Sequence, residues 1–561
     1  MSLEGGVGGG KGGRERGGAS KTGAGGGFAS KAGGSSASRA GAVRGNAPKG
    51  DAGRSSASGA GAVGGNAPKG GGGRGSALNA GAARGAVQKA SAGGGAGPSG
   101  GAARGQAKPS ARSVALEVLT AVEQEGAYSN LLLNGALQKS GLSGPDAGLA
   151  TELVYGTIQR LNTIDFFLAP FVTKGLGKLA PWVRNLLRLS FYQLHYLDRI
   201  PPHAVVNEAV NIAKKRGHQG ISGMVNGVLR NVLRRKEELT LPEDLPPVSR
   251  IALAHSHPEW LVARWARQYG IAAAEAICRA NNEPPSVSVR VNRARTSREE
   301  MLRLMEEQGL AASASPISPD GIIVHSGGNM ALTSWYRDGL ISVQDESSML
   351  VAEAVDPQPG MSVLDCCAAP GGKTCHMAEI LEGSGEVVAN DIHPHKAKLI
   401  EDHADRLGLG NVRALSGDAM KLSERFPPES FDRILLDAPC SGLGVIRRKP
   451  DLKWAKTPGD VEEIAGVQEG LLDAVSGLLK PEGILVYSTC TIEPRENAEM
   501  VRRFLSRHPE FALAAEEPAG WERRPLAEAA GRVAEGLQIL PQDFHSDGFY
   551  IARLRKRGGG K

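Results

Sequence analysis

The stretch Ser362-Val-Leu-Asp-Cys-Cys-Ala-Ala-Pro-Gly-Gly-Lys-Thr374 decides the fold. An apolar run, Ser362–Cys367, passes through Pro-Gly-Gly into a helical pattern. Four more short apolar runs follow at Glu386–Ile392, Val412–Gly417, Arg433–Asp437 and Gly483–Ser488, with helical stretches between them. Strands alternating with helices predict a doubly wound, Rossmann-like α/β domain with a parallel sheet over residues 344–556. Gly548–Leu554 adds a late strand suited to antiparallel pairing. With the strand order 3-2-1-4-5, the fourth strand lies between the first and the fifth.

A Gly-rich turn between strand and helix lets a ligand approach the backbone, with a helix N-terminus behind it. Three ligands compete for it. Dinucleotide binding wants Gly-x-Gly-x-x-Gly, which is absent. A phosphate loop wants Gly-x-x-x-x-Gly-Lys-Ser/Thr. Gly372-Lys-Thr374 matches its end, but Cys367 stands where its first glycine belongs, and Pro370 removes an amide from the cradle. S-adenosylmethionine fits best, because it carries no phosphate. Asp391 after the second strand is placed for its ribose, and Asp418 after the third for its adenine amino group. Each aspartate is also suited to capping a helix.

Two cysteines end apolar runs, in Asp437-Ala-Pro-Cys440 and in Ser488-Thr-Cys490. Ligands in such folds sit beyond the C-terminal strand ends. Adjacent strands are ~4.8 Å apart, so Asp437, Cys440 and Cys490 converge beside the glycine loop. Two thiols and a carboxyl group suit methylation at C5 of cytosine. A thiolate adding to C6 makes C5 nucleophilic, an acid near N3 assists, and a base then removes the C5 proton. A free thiol has a pKa of ~8.5, so activation is needed, and Lys373 can supply positive potential. The competing reading is a pair of small buried hydrophobes. A zinc site from Cys366, Cys367, Cys375 and His376 does not match a common ligand spacing. Arg447, Arg448, Lys449 and Lys453 follow the Cys440 turn, either gripping RNA phosphates or forming a solvated basic loop.

Residues 1–109 read differently. Ser35–Gly50 recurs nearly unchanged as Ser55–Gly70, without a large apolar residue to bury, which predicts a disordered Gly/Ala/Ser-rich tail. Residues 1–110 hold 15 Lys/Arg against 3 Asp/Glu, leaving 51 against 56 in the remainder. The chain's excess positive charge therefore belongs to the tail, where it favours salt-sensitive attraction to nucleic acid or simply solubility. Near Ser110 the pattern turns helical. Ala115, Val118, Leu119 and Val122 share one face, as do Val183, Leu187, Phe191 and Leu194. Six or seven helices are expected over 110–237, then a linker, then a small α+β domain over 250–343. No apolar run approaches the ~18 residues that span a bilayer, and the first twenty residues lack a secretory pattern. The expectation is a cytoplasmic monomer with reduced thiols and no metal.

The motifs Cys367-Ala-Ala-Pro-Gly-Gly-Lys373, Asp437-Ala-Pro-Cys440-Ser-Gly and Ser488-Thr-Cys490-Thr-Ile-Glu-Pro resemble those of the RNA cytosine-5 methyltransferases of the NOL1/NOP2/Sun class. The helical stretch opening at Ser110 is similar to the RNA-binding NusB domain. The combination resembles bacterial enzymes that act on small-subunit (16S) ribosomal RNA, over residues 110–556. The resemblance implies Cys490 as nucleophile, Cys440 in product release, Asp437 against the base and Lys373 orienting or polarising it. It implies that Cys367, Ala368, Ala369, Pro370, Gly371, Gly372, Lys373, Asp391, Asp418 and Asp437 hold S-adenosylmethionine. DNA cytosine-5 methyltransferases attack from a Pro-Cys motif, and by that logic Cys440 attacks instead. Methylation of another RNA, or a NusB-like role in RNA binding or ribosome assembly, are the alternatives.

Overall fold

Ser110 opens the first helix among the described residues. Its hydroxyl accepts the amide of Ser113 and caps helix α1 (Ala111–Glu125), which Gly126 closes in the left-handed region. The computed structural model describes residues 109–126, 128–518 and 520–558. The repeat-bearing tail, apart from Pro109, lies outside the described residues. Six helices follow: α2 (Ser129–Ser140), α3 (Gly144–Gln159), α4 (Leu161–Leu168), α5 (Pro181–Tyr196), α6 (Pro202–Arg216) and α7 (Gln219–Arg234). Helix α5 opens on Pro181, whose missing amide costs nothing in a first turn. Its Val183, Leu187, Phe191 and Leu194 are buried among Leu116, Leu153, Leu168, Val205 and Leu229.

Three helices, Pro247–Ala254, Glu259–Tyr269 and Ile271–Ala280, come next. They share a core with Leu443, Ile446, Leu452 and Ile492, residues that flank the two cysteine turns. The α+β pattern sits farther along. Strands β1 (Val287–Val291), β2 (Ala312–Ala314), β3 (Gly321–Val324) and β4 (Ile341–Val343) form an antiparallel sheet in the order β2-β3-β1-β4. The helix Arg298–Glu307 buries Met301 and Met305 against its core.

The large sheet is built from β5 (Ser362–Asp365), β6 (Glu386–Asp391), β7 (Val412–Ser416), β8 (Phe431–Asp437), β9 (Leu479–Thr489), β10 (Phe511–Leu513), β11 (Leu537–Ile539) and β12 (Phe549–Lys556). Its order is β10-β12-β9-β8-β5-β6-β7, with β11 paired to β12. The five parallel strands therefore follow the expected 3-2-1-4-5 order. The late strand β12 runs antiparallel to β9, with Tyr550 opposite Thr489. Central strands buried on both faces need apolar runs, and Val363, Leu364, Val387, Val388, Leu435 and Val486 are all inaccessible. Among the described residues no helix is long and apolar enough to cross a membrane.

One ion pair fastens the small sheet to the large domain. Arg290 of β1 reaches Glu379 of the helix Gly372–Ile380, and both side chains are fully buried. Arg290 also donates to Gln344 Oε1 at 2.8 Å. Removing one partner strands the other charge without water. Arg290→Ala should lower unfolding free energy by about 3–5 kcal/mol in urea titrations; a loss below about 1 kcal/mol would contradict this role.

Candidate active site

Adjacent parallel strands deliver their last residues to one edge of the sheet. Asp365 ends β5, Asp437 ends β8, and Cys490 follows the end of β9. The register sets Asp365 beside Leu435 and Asp437 beside Ser488. Gly371, with φ of 99°, turns the chain from the loop into the helix that carries Lys373. Lys373 Nζ donates to Asp437 Oδ2 at 2.6 Å, and Ser488 Oγ donates to Asp437 Oδ1 at 2.8 Å. Cys440 Sγ and Cys490 Sγ are 3.3 Å apart. A cavity of about 600 Å³ opens here, walled by Cys367–Pro370, Lys373, Asp437, Cys490, Val287, Gln344 and Phe549.

The Cys440 turn is held from below. Glu496 accepts the Ser441 amide at 2.8 Å and the Gln468 amide group at 3.0 Å. Ser441 Oγ meets Thr491 Oγ1 at 2.8 Å. The Gly444 amide donates to the Cys490 carbonyl at 3.1 Å, and the Gly548 amide donates to the Gly444 carbonyl at 2.8 Å. A Cβ on residue 444 would stand 2.0 Å from the Gly548 carbonyl oxygen, so only glycine permits this approach.

Comparison with known proteins places the chain in a family. A family model for 16S rRNA methyltransferase RsmB/F matches residues 352–555, and one for the NusB family matches residues 109–234. A third, for the RsmF/B-like ferredoxin-like domain, matches residues 257–331. A probable ribosomal RNA small subunit methyltransferase B of Bacillus subtilis (strain 168) is 47% identical over 453 residues, covering 80% of this chain and 100% of that protein. The chain belongs to the ribosomal RNA small subunit methyltransferase B family. The family member from Pseudomonas putida is 38% identical over 450 residues, covering 79% of this chain and 98% of that protein. The crystal structure of PH0851 superposes with a TM-score of 0.68 at 27% identity, covering 80% of this chain and 99% of that one.

In this family member, Lys373, Asp437, Cys440 and Cys490 lie together, and the loop Cys367–Pro370 with Gly372 walls the same cavity. Asp391 and Asp418 end the next two strand turns and are not among the cavity's walls. Asp391 accepts the His393 amide at 3.2 Å and pairs with Lys396 at 3.5 Å. Asp418 caps the short helix after it, accepting the Met420 amide at 3.0 Å.

The basic loop needs correction. Arg447 is buried and donates to the carbonyls of Ala280, Pro541 and His545 at 2.7–2.8 Å. Arg448 is held between Asp345 and Asp547. Lys453 is inaccessible and donates to the Gln159 carbonyl at 2.9 Å. Arg447 and Lys453 are thus withdrawn from solvent and Arg448, though partly exposed, is tied to two carboxylates; of the four cations only Lys449 is exposed.

Sequence reasoning also missed two residues. Asp365 is buried, accepts from Thr374 Oγ1 at 2.7 Å, and keeps Oδ1 unpartnered beside the cavity. Asn390 Nδ2 donates to the carbonyls of Cys366 and Gly417 at 3.1 and 3.0 Å, tying the ends of three strands. For Asp365 the signal was present: it ends its strand as Asp391 and Asp437 end theirs.

The electrostatics separate the two thiols. Cys490 is lowered from its ordinary value, first by the hydrogen bond it shares with Cys440, against burial and the Asp437 charge, with Lys373 and Lys449 adding to the lowering. Cys440 is pushed well up by the same bond and by burial. Burial pushes Cys278, Cys367 and Cys375 up to about 12 and also raises Cys366 well above its ordinary value. Burial also opposes the charge on Lys373, but Asp437 outweighs it and the ammonium is retained. Asp365 is raised to about 7 by burial and the Asp437 charge, against the pull of Thr374.

Of the six cysteines, Cys490 alone is shifted toward its thiolate. Iodoacetamide should therefore modify Cys490 first, with a rate midpoint below the ~8.5 of a free thiol. Cys440→Ala removes the hydrogen bond that lowers Cys490, so that midpoint should move up. Peptide mapping that finds Cys440 modified first would contradict the assignment.

Proposed function

We propose that this chain methylates C5 of a cytosine in 16S ribosomal RNA, using S-adenosylmethionine and a transient bond from Cys490 to C6. The observation that carries this reading is the pair of thiols 3.3 Å apart beside the Lys373–Asp437 pair. Neither a simple binding module nor an N- or O-methyltransferase needs two such thiols.

The loop and cavity suit the cofactor. Asp365 Oδ1 is a buried acceptor without a partner, and Cys367–Pro370 line the cavity with residues of small side chain. Residues Cys367 to Lys373 and Asp437 would hold the cofactor, with Asp391 and Asp418 at the ribose and adenine ends. When bound, S-adenosylmethionine supplies an electrophilic methyl group.

The protein's residues divide the remaining work. Cys490 adds as thiolate to C6, which makes C5 a carbon nucleophile. Lys373 and Asp437 sit against the pyrimidine edge, where a donated proton or hydrogen bond at N3 offsets the charge that addition creates. Ser488 and Lys373 between them occupy both oxygens of Asp437 and fix its orientation. After C5 has been alkylated, loss of its proton and departure of Cys490 restore the aromatic ring. Cys440 serves this release, from a turn that Glu496 and Gly444 hold in place. Six free cysteines suit a reducing compartment.

Methylation at C5 must expel the hydrogen already there. 16S RNA carrying tritium at C5 of cytosine should release tritium to water when incubated with the protein and S-adenosylmethionine, one tritium per methyl gained. Methyl transfer without tritium release would place the methyl elsewhere and overturn the reading. Release from another RNA but not from 16S would move the substrate to that RNA.

A further inference from the structure

A second cavity, of about 490 Å³, opens where the helical domain meets the large domain. That size lies within the ~300–1,000 Å³ typical of ligand sites. The helical domain contributes Tyr155, Arg160, Tyr192 and Tyr196; Pro285 and Arg448 stand opposite. The rings of Tyr192 and Tyr196 stack with centroids 5.3 Å apart. The Arg160 guanidinium lies 5.3 Å from the Tyr196 centroid. Arg160 is half-buried, yet its side chain makes no hydrogen bond or ion pair among the described residues. A cation drawn out of water with only a ring for company retains donors for a ligand.

The cavity's shape is built into α3. A Cβ on Gly156 would stand 2.1 Å from the Tyr192 ring, so glycine makes room for the aromatic wall. Glu152 accepts the Tyr192 hydroxyl at 2.5 Å and fixes that ring. The cavity is also coupled to the Cys440 turn. Trp454 Nε1 donates to the Ile158 carbonyl at 2.8 Å, Lys453 Nζ to that of Gln159 at 2.9 Å, and Ser129 Oγ to Asp451 Oδ1 at 2.6 Å. The segment that continues from Cys440 is thereby pinned to the end of α3 and the start of α2. Arg448 lines both this cavity and the one at Cys490.

We propose that this cleft is a nucleotide subsite, in which a base of the RNA near the target cytosine stacks on the Arg160–Tyr196 and Tyr155 wall while the target enters the cavity at Cys490. The proposal rests on the methyl-transfer reading for the identity of the RNA. Its chemistry is that of single-stranded RNA, whose unstacked bases seek aromatic faces and guanidinium planes. The Glu152 carboxylate disfavours a phosphate beside Tyr192 but accepts from a base amino group, so the base enters on that side.

The test uses the full chain with 16S RNA. Arg160→Met and Tyr155→Ala should each weaken RNA binding about tenfold in filter assays, the loss of one stacked base. The affinity for S-adenosylmethionine should stay as it was. Arg160→Lys should restore the salt dependence but only part of the affinity, because it keeps the charge and loses the plane. As a check that does not depend on variants folding, 16S RNA bearing 5-iodouridine should photocrosslink to the unaltered protein at Tyr155, Tyr192 or Tyr196. Crosslinks confined to other peptides would overturn the subsite. If the unaltered protein crosslinks here but releases no tritium from cytosine, the subsite stands and the methyl-transfer reading fails.

Discussion

Strands β5, β8 and β9 lie side by side, with Asp437 opposite Ser488, and the candidate chemistry depends on that pairing. Two turns separated by 50 residues meet because their strands are neighbours, which puts one thiol 3.3 Å from another. The same adjacency sets Lys373, from the helix after β5, against the carboxylate that ends β8. A parallel sheet can make such meetings only at its C-terminal edge, because its crossover helices begin there. The Lys373–Asp437 pair then performs two tasks. It keeps a carboxylate and an ammonium in one orientation, and its ammonium offsets part of the upward push that the Asp437 charge and burial exert on the thiol at 490.

Charge is placed economically around this edge. Arg290, Arg447, Arg448 and Lys453 are each drawn inward, where they bind carbonyls or carboxylates of distant segments. Buried cations are costly without such partners, so each acts as a directional bolt between parts of the chain. Arg290 joins the small sheet to the helix carrying Lys373. Lys453 joins the Cys440 segment to α3. The RNA-contacting surface therefore has to be sought where cations remain unpaired, as at Arg160, rather than where the sequence is most basic.

The architecture was legible because period and spacing carry it. Short apolar runs separated by helical stretches leave little choice but a doubly wound sheet, and Gly-rich and Pro-Cys turns mark the strand ends. The order 3-2-1-4-5 then brings Asp437, Cys440 and Cys490 together without further information. The fate of the basic loop was not legible. Whether Arg448 grips a phosphate or an aspartate depends on Asp345 and Asp547, residues 103 and 99 positions away. Asp418 shows the converse: its local capping bond, to the amide two residues on, was anticipated as the ordinary use of an aspartate after a strand. The helices over 247–280 do not stand out from the α+β pattern in the sequence, because their burial is against Leu443 and Ile492, far along the chain.

The central claim is the division of labour between the two thiols. Cys440→Ala and Cys490→Ala proteins, each incubated with S-adenosylmethionine and 16S RNA and run on a denaturing gel, test it directly. With Cys440→Ala, a protein–RNA adduct should persist, because addition proceeds and release fails. With Cys490→Ala, no adduct should form. The opposite pattern, an adduct with Cys490→Ala and none with Cys440→Ala, would assign attack to Cys440 and contradict the account.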